Sequence, residues 1–336
     1  MMNENTQTPQ GDVRDIGSPD EIAGLHDPVM LDRCIELLQP AIEGDNPVVV
    51  DGTLGMGGHS EALLDRFPTL TLIGLDRDTE ALGLASQRLA RFGDRFRPVH
   101  TVYDGLLDAV EQQGFERVNG VLLDLGVSSL QLDQADRGFA YAQDAPLDMR
   151  MDQTSGLTAA EIIAQEPEGR LRELFEVYGD EPLAGRYARA IVRAREAEPI
   201  RRSGQLVDVL QEATPAAVKR QRHPAKRVFQ ALRIEVNNEL GALQRVIPQT
   251  LKALAVGGRA VVMSYQSLED RMVKRAFQKA TQSTAPAGLP VELPEHIAKF
   301  SLVTKGAETA PQTEQERNPR SIPVRLRAIE RVREDG

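Results

Sequence analysis

From Asp45 onward, short apolar runs alternate with stretches of helical period, the pattern of a sheet with crossover helices. Pro47-Val48-Val49-Val50 predicts a first strand, followed by a glycine-rich turn and a helix over about residues 60–67. A second strand over 70–75 ends at Asp76, and Asp78 stands where it can cap a helix with the stripe Ala81, Leu82, Ala85 and Leu89. Further strands are predicted over 98–102 and 120–123. The spacing leaves room for a helix between successive strands, as right-handed parallel crossovers require. This half therefore predicts a doubly wound α/β sheet.

After Leu125-Gly126-Val127-Ser128-Ser129 the alternation gives way to helical periods over 158–164, 169–178, 183–198 and 205–212. One longer helix is predicted from His223-Pro224, where Pro suits the first helical position, through the stripe Phe229, Leu232, Val236, Leu240 and Leu243. A strand returns over 257–265 behind a Gly-Gly turn, and Ser267-Leu268-Glu269-Asp270 reads as a capping box for the next helix. Residues 281–298 are Pro-rich and read as loop; last strands are predicted over 300–304 and 323–329. The expected organisation is a tail over 1–25, a sheet domain over 26–128 and 231–331, and an all-helical insertion over 129–230.

Composition narrows the class. The chain has 336 residues, 41% of them hydrophobic and 27% charged, which is globular and long enough for two domains. Its one cysteine, Cys34, excludes an intrachain disulfide framework and a Cys-based zinc cage, so a reducing, cytoplasmic setting is expected. Cys34 shares an apolar helical face with Leu31, Ile35 and Leu38 and reads as core. No apolar run reaches the roughly 18 residues of a spanning helix. The first 25 residues lack the basic start and apolar stretch of a signal peptide and read as a flexible tail. No His/Asp/Glu cluster has metal-ligand spacing, so neither a metal nor a membrane is expected.

The chemistry concentrates in Asp51-Gly52-Thr53-Leu54-Gly55-Met56-Gly57-Gly58-His59-Ser60, between the first strand and its helix. Close glycines let a backbone approach a ligand, and a helix N-terminus offers free N–H groups. Asp76, at the end of the second strand, is placed to accept both hydroxyls of a ribose. A nicotinamide-dinucleotide loop wants G-x-G-x-x-G/A, and Ser60 stands at the third position here. The loop also begins with Asp51, which would repel a pyrophosphate but suits the ammonium of S-adenosylmethionine. The loop favours that ligand over NAD.

The ordered blocks match a known family. They are His26-Asp27-Pro28-Val29, the loop at 51–60, Leu75-Asp76-Arg77-Asp78, LLDLGVSSLQLD at 122–133 and Arg137-Gly138-Phe139. Then follow Pro146-Leu147-Asp148-Met149-Arg150-Met151, Tyr178-Gly179-Asp180-Glu181, HPAKRVFQALRIEVNNEL at 223–240, Ser267-Leu268-Glu269-Asp270-Arg271 and Asn318-Pro319-Arg320-Ser321. Over 26–331 the chain resembles the bacterial 16S rRNA cytosine-N4-methyltransferases of the MraW family. The resemblance implies a class I S-adenosylmethionine methyltransferase fold acting on a cytosine of the small subunit's decoding centre. It also implies that Gly57, Gly58 and His59 contact S-adenosylmethionine, that Asp76 holds its ribose and that Tyr103 packs on its adenine. Asp124 would sit at the adenine or the target base, and Gln131 would complete the pocket. Where the family pattern runs Ser-Phe-His-Ser-Leu-Glu-Asp, this chain has Ser264-Tyr265-Gln266-Ser267, and Ile322-Pro323 stand where Arg and Ser are usual.

Transfer to a base amine needs alignment and an acceptor for the amine hydrogen. Asp124 or nearby backbone carbonyls are the candidate acceptors, and a purely cofactor-binding role for Asp124 is the other reading. For RNA, residues 182–235 hold 12 Lys+Arg against five acids in a chain of net charge −10. Within them Lys219, Arg220, Arg222, Lys226 and Arg227 form the candidate phosphate-facing patch, the remaining arginines reading largely as solvated helix faces. His26 reads as a turn residue or a substrate contact, and Glu269 and Asp270 as helix caps. Two other functions stay open at this point: an NAD-linked oxidoreductase, and a non-catalytic RNA-binding assembly factor.

Overall fold

A computed structural model of the chain describes residues 28–285, 293 and 296–334, with the side chain of Ser129 excepted. The expected tail, His26 and part of the Pro-rich stretch lie outside the described residues. The first half runs α1 (Leu31–Ile42), β1 (Val48–Asp51), α2 (Gly58–Arg66), β2 (Thr71–Asp76), α3 (Thr79–Leu89), β3 (Phe96–His100), α4 (Leu106–Gln112) and β4 (Val118–Asp124). Seven helices follow: α5 (Ser129–Asp133), α6 (Ala159–Gln165), α7 (Glu168–Val177), α8 (Ala184–Ala197), α9 (Ser203–Ala213), α10 (Ala216–Lys219) and α11 (Ala225–Asn237). The chain then returns to the sheet through α12 (Glu239–Ala253), β5 (Leu254–Ser264), α13 (Ser267–Ala280), β6 (Phe300–Leu302), α14 (Gln312–Arg317) and β7 (Arg325–Arg331).

The seven strands lie in the order β3-β2-β1-β4-β5-β7-β6, and only β7 runs against the rest. This is the class I methyltransferase arrangement implied by the resemblance. Strand side chains alternate between two cores, as period 2 demands. Val49, Leu72, Leu122 and Val261 pack with α1, α2 and α3 on one face. Val48, Val50, Ile73, Val121, Leu123 and Val262 pack with α4, α12 and α13 on the other. Burial on both faces explains why β1 and β4 read as unbroken apolar runs. Cys34 lies in the first core with its Sγ 3.7 Å from Met263 Sδ.

A third core, from Phe139 to Leu232, belongs to the helical region. It is joined to the sheet by a buried knot. Asp78 Oδ1 caps α3 by accepting from the N–H of Glu80 at 3.1 Å, while Oδ2 accepts from Arg137 Nη2 at 2.8 Å and from Gln131 Nε2 at 3.0 Å. Arg137 Nη2 also donates to the Met151 carbonyl at 2.8 Å.

Strand ends shift by about two residues from the expected ranges, and three further differences have a visible cause. The single helix predicted across 223–243 is two, because Asn238 adopts a left-handed conformation (φ 48°) that asparagine tolerates. Asn237 secures the break: its Oδ1 accepts from the Met151 N–H, and its Nδ2 donates to the Met149 carbonyl, both at 2.8 Å. The cap of α13 is Gln266 rather than Ser267, since Gln266 is still extended and Glu269 reaches back to its N–H at 3.2 Å and to that of Tyr265 at 2.9 Å. Asp270 instead pairs with Arg327 at 2.7 Å. The Gly257-Gly258 turn lies inside β5 as a bulge, because Val118 pairs with Leu254 but Gly120 with Arg259. Among the described residues no helix is long and apolar enough to cross a membrane, and no group of three His, Cys, Asp or Glu is placed to hold a metal ion.

Candidate active site

A cavity of about 300 Å³ opens at the carboxyl ends of β1, β2, β4 and β5. Parallel sheets bind ligands there because the helices that follow the strands diverge and point their N-termini inward. Its wall includes Gly52–Met56, Gly58 and His59 after β1, Asp76 and Arg77 after β2, Asp124–Ser128 after β4, and Tyr265 and Gln266 after β5. Tyr103 and Gln131 complete it from the sheet side and from α5, and Met151, Gln230, Arg233 and Arg320 close it from outside the strand ends.

Asp76 is already half-occupied. Its Oδ2 accepts the N–H of Gly55 and its Oδ1 that of Asp78, each at 2.8 Å. A carboxylate offers about four acceptor sites, so each oxygen keeps one for a ligand hydroxyl. Burial pushes its pKa up to about 6 against the pull of those two donors.

The glycine loop divides its work. Gly58 lies on the cavity wall, where any Cβ would meet Pro28 Cγ at 2.5 Å. Gly57 does not line the cavity: it is left-handed (φ 78°), and its Cβ would press on Leu89. Its glycine serves the turn. His59 lines the cavity and donates from Nε2 to the Val29 carbonyl at 3.0 Å. Asp51 sits behind the wall, accepting from Ser60 Oγ at 2.7 Å and from the Thr53 N–H at 3.1 Å, so the expected ammonium contact is not among the wall residues. Gln131 is committed at both ends of its amide, to the Ser128 N–H and to Asp78.

The other end of the cavity is built on Asp124. Its backbone N–H donates to Thr53 Oγ1 at 2.6 Å, and its Oδ1 accepts from the Tyr265 hydroxyl at 2.7 Å. Burial raises the pKa of Asp124; burial and the Asp124 charge raise that of Tyr265, so the phenol keeps its proton and remains the donor. The Tyr103 hydroxyl is tied to the Glu239 carbonyl at 3.0 Å, which sets its ring as part of the wall. Glu269, buried against Glu239, has its pKa pushed up to about 7, chiefly by burial.

The basic patch separates into two kinds of residue. Arg222 forms a two-pronged bond to the fully buried Glu181, both contacts at 2.6 Å, and Arg227 donates to the Asp180 carbonyl. Both stabilise the fold around residues 178–181 and are not free cations. Lys219, Arg220 and Lys226 are exposed. Strand-end residues such as Thr53, Tyr265 and Gln266 were accessible to sequence reasoning through the strand-end rule. Gln230 and Arg233 were not, because nothing in a single sequence says which face of α11 meets the sheet.

The sequence profile of the MraW methylase family matches residues 23–332. A protein of Leifsonia xyli named ribosomal RNA small subunit methyltransferase H is 62% identical over 315 residues, covering 94% of this chain and 97% of its own. One of the same name from Clavibacter michiganensis is 61% identical over 309 residues, with coverage of 92% and 97%. Another from Kocuria rhizophila is 54% identical over 310 residues, covering 92% and 95%.

Proposed function

Because the chain belongs to the MraW methylase family, we propose that it is an S-adenosylmethionine-dependent methyltransferase of small-subunit ribosomal RNA, acting in the cytoplasm on N4 of a cytosine. The observation that carries this reading is one cavity with a half-occupied ribose acceptor, Asp76, at one end and a hydroxyl-held carboxylate, Asp124, at the other. The wall suits a phosphate-free nucleoside ligand. Arg88, Arg233 and Arg320 on it hold Glu61, Glu239 and Asp133, and Arg77 holds the Asn237 carbonyl, so none is left wholly for a pyrophosphate. That weighs against the NAD reading.

When bound, S-adenosylmethionine supplies an activated methyl group on its sulfonium. Asp76 would hold its ribose, Tyr103 would flank its adenine, and Gly58 and His59 would border its amino-acid end. The protein's own contribution is alignment of the amine, which can be worth on the order of 7–11 kcal/mol. Tyr265 fixes Oδ1 of Asp124 and leaves Oδ2 to accept the hydrogen of the target amine as its charge develops. The target nucleotide must be splayed out of its stack to reach this depth. Lys219, Arg220 and Lys226 offer exposed charge for the flanking phosphates.

The test is transfer of labelled methyl from S-adenosylmethionine to small subunits from a strain lacking the enzyme, followed by mapping of the modified nucleotide. One labelled cytosine is expected. Binding to the subunits without any transfer would favour the assembly-factor reading instead.

A further inference from the structure

Beyond the residues that would hold the cofactor, α11 brings two polar side chains to the cavity wall three positions apart, Gln230 and Arg233, and such a pair shares one helix face. Gln230 Nε2 donates to the Tyr178 carbonyl at 3.0 Å and to Gln266 Oε1 at 3.1 Å. A carbonyl can only accept, so the amide is oriented by Tyr178. Gln266 is held in turn by Glu269, whose Oε1 lies 3.0 Å from Gln266 Nε2. Among the described residues Gln230 Oε1 then has no partner. Arg233 spends Nε and Nη2 on the Glu239 carboxylate, at 2.8 and 3.0 Å, which leaves Nη1 without a partner among the same residues. Neither atom belongs to the buried unpartnered set, so both stay open to solvent.

The wall thus offers an oriented acceptor and, three residues along the same helix face, an oriented donor. Cytosine presents the complement on its base-pairing edge, the N4 hydrogens beside the N3 lone pair. Uracil presents the reverse, O4 beside N3–H, and would meet both protein groups like to like. Buried or semi-buried recognition of this kind discriminates strongly because the wrong base leaves polar groups unpaired. The position of Gln230 fits the base rather than the ribose, while Arg233 stands between the two, since its partner Glu239 also holds the Tyr103 hydroxyl. Gln230 is bonded to Gln266, beyond the end of β5, whereas Asp76 ends β2; β1 and β4 lie between, about 14 Å at ordinary strand spacing.

We infer that Gln230 and Arg233 are the specificity-determining residues that read the base-pairing edge of the target cytosine, with Gln266 and Tyr178 as the positioning groups that hold the Gln230 amide. This rests on the methyltransferase reading above. The experiment compares wild type with Gln230→Leu and Arg233→Lys, the latter keeping a cation for Glu239 while withdrawing the second fork of the guanidinium. Calorimetry gives the S-adenosylmethionine Kd, labelled transfer to small subunits gives kcat/KM, and titration of the protein loaded with S-adenosylhomocysteine compares cytidine and uridine monophosphates. Expected are a cofactor Kd within twofold of wild type in both variants, which also shows that they fold, and kcat/KM lower by 30-fold or more in Gln230→Leu. Wild type should prefer the cytidine nucleotide by tenfold or more, and both variants should lose most of that preference. A parallel loss of cofactor affinity would assign the pair to the adenine of the cofactor and overturn the inference. So would unchanged kcat/KM, or equal binding of the two nucleotides by wild type. Absence of transfer by wild type itself would overturn the underlying functional reading, a result distinct from active but unaffected variants.

Discussion

Replacing Asp76 perturbs the cofactor end of the cavity in a way the structure lets one size. Its two oxygens each hold one backbone N–H, so at most two ribose hydroxyls find an acceptor there. Hydrogen bonds to a charged partner contribute about 1.5–3 kcal/mol each and are not strictly additive. Asp76→Ala should therefore weaken S-adenosylmethionine binding by about 2–5 kcal/mol, or about 30- to 5,000-fold in Kd. The alanine also strands the N–H groups of Gly55 and Asp78, so part of the loss could come from a loosened loop. Asp76→Asn separates the two effects, since its carbonyl oxygen keeps one backbone bond while its amide cannot accept. The pH dependence gives the sharper test. With the carboxyl of the free protein pushed up to about 6, the ionised form that accepts ribose hydroxyls is full at pH 8 and depleted at pH 5. The ligand favours ionisation, so affinity is present above that pKa and lost as pH falls through it. For a pKa near 6 the apparent Kd at pH 5 should be about tenfold weaker than at pH 8. Isothermal calorimetry across this range should show that slope in wild type and a flat profile in Asp76→Asn. Wild-type affinity in the alanine variant, or a flat wild-type profile, would refute the ribose role.

The basic patch yields a paired prediction. Arg222→Ala leaves the fully buried Glu181 carboxylate without its guanidinium and should destabilise the fold by about 2–4 kcal/mol, below the upper range for buried pairs because Arg222 itself stays a quarter exposed; urea unfolding measures it. The triple change Lys219→Ala, Arg220→Ala, Lys226→Ala should leave stability unchanged within about 0.5 kcal/mol. It should lower the slope of log affinity for RNA against log salt by about 2, measured by filter binding. A salt slope equal to wild type would remove these three residues from the RNA surface.

How much of this was legible in the chain depends on how local each feature is. Strand-end acids and glycines follow from period and spacing, and Asp76, Gly58 and Asp124 all lie on the cavity wall. Gly57 and Asp51 belong to the same ten-residue loop yet lie off that wall, because which way a turn faces is set by Leu89 packing and the Ser60 hydroxyl, partners the pattern does not reveal. The break at Asn238 escaped an apolar stripe that continues through it, since Leu240 and Leu243 keep the helical spacing while the axis changes. The charge count over 182–235 could not tell Arg222 from Arg220. Only the fold places Glu181, forty-one residues earlier in sequence, under the first of them.

The same long-range logic explains why the cavity depends on the helical region. Asp78 stands two residues after Asp76 and donates its N–H to the Asp76 carboxylate, while its own carboxylate caps α3 and receives Gln131 and Arg137 from beyond β4. A shift of α5 would therefore pull on Asp78 and, through that single N–H, on Asp76. At the far end Asn237 binds the backbone at Met149 and Met151 while its carbonyl accepts from Arg77, so α11 is pinned to the strand-end loop that follows β2. The side chains proposed to face the base and the one proposed to face the ribose thus share a frame made of buried hydrogen bonds rather than of sheet alone. In such a frame the distance between the two ends is set by packing, which is the condition for aligning an amine with a methyl group.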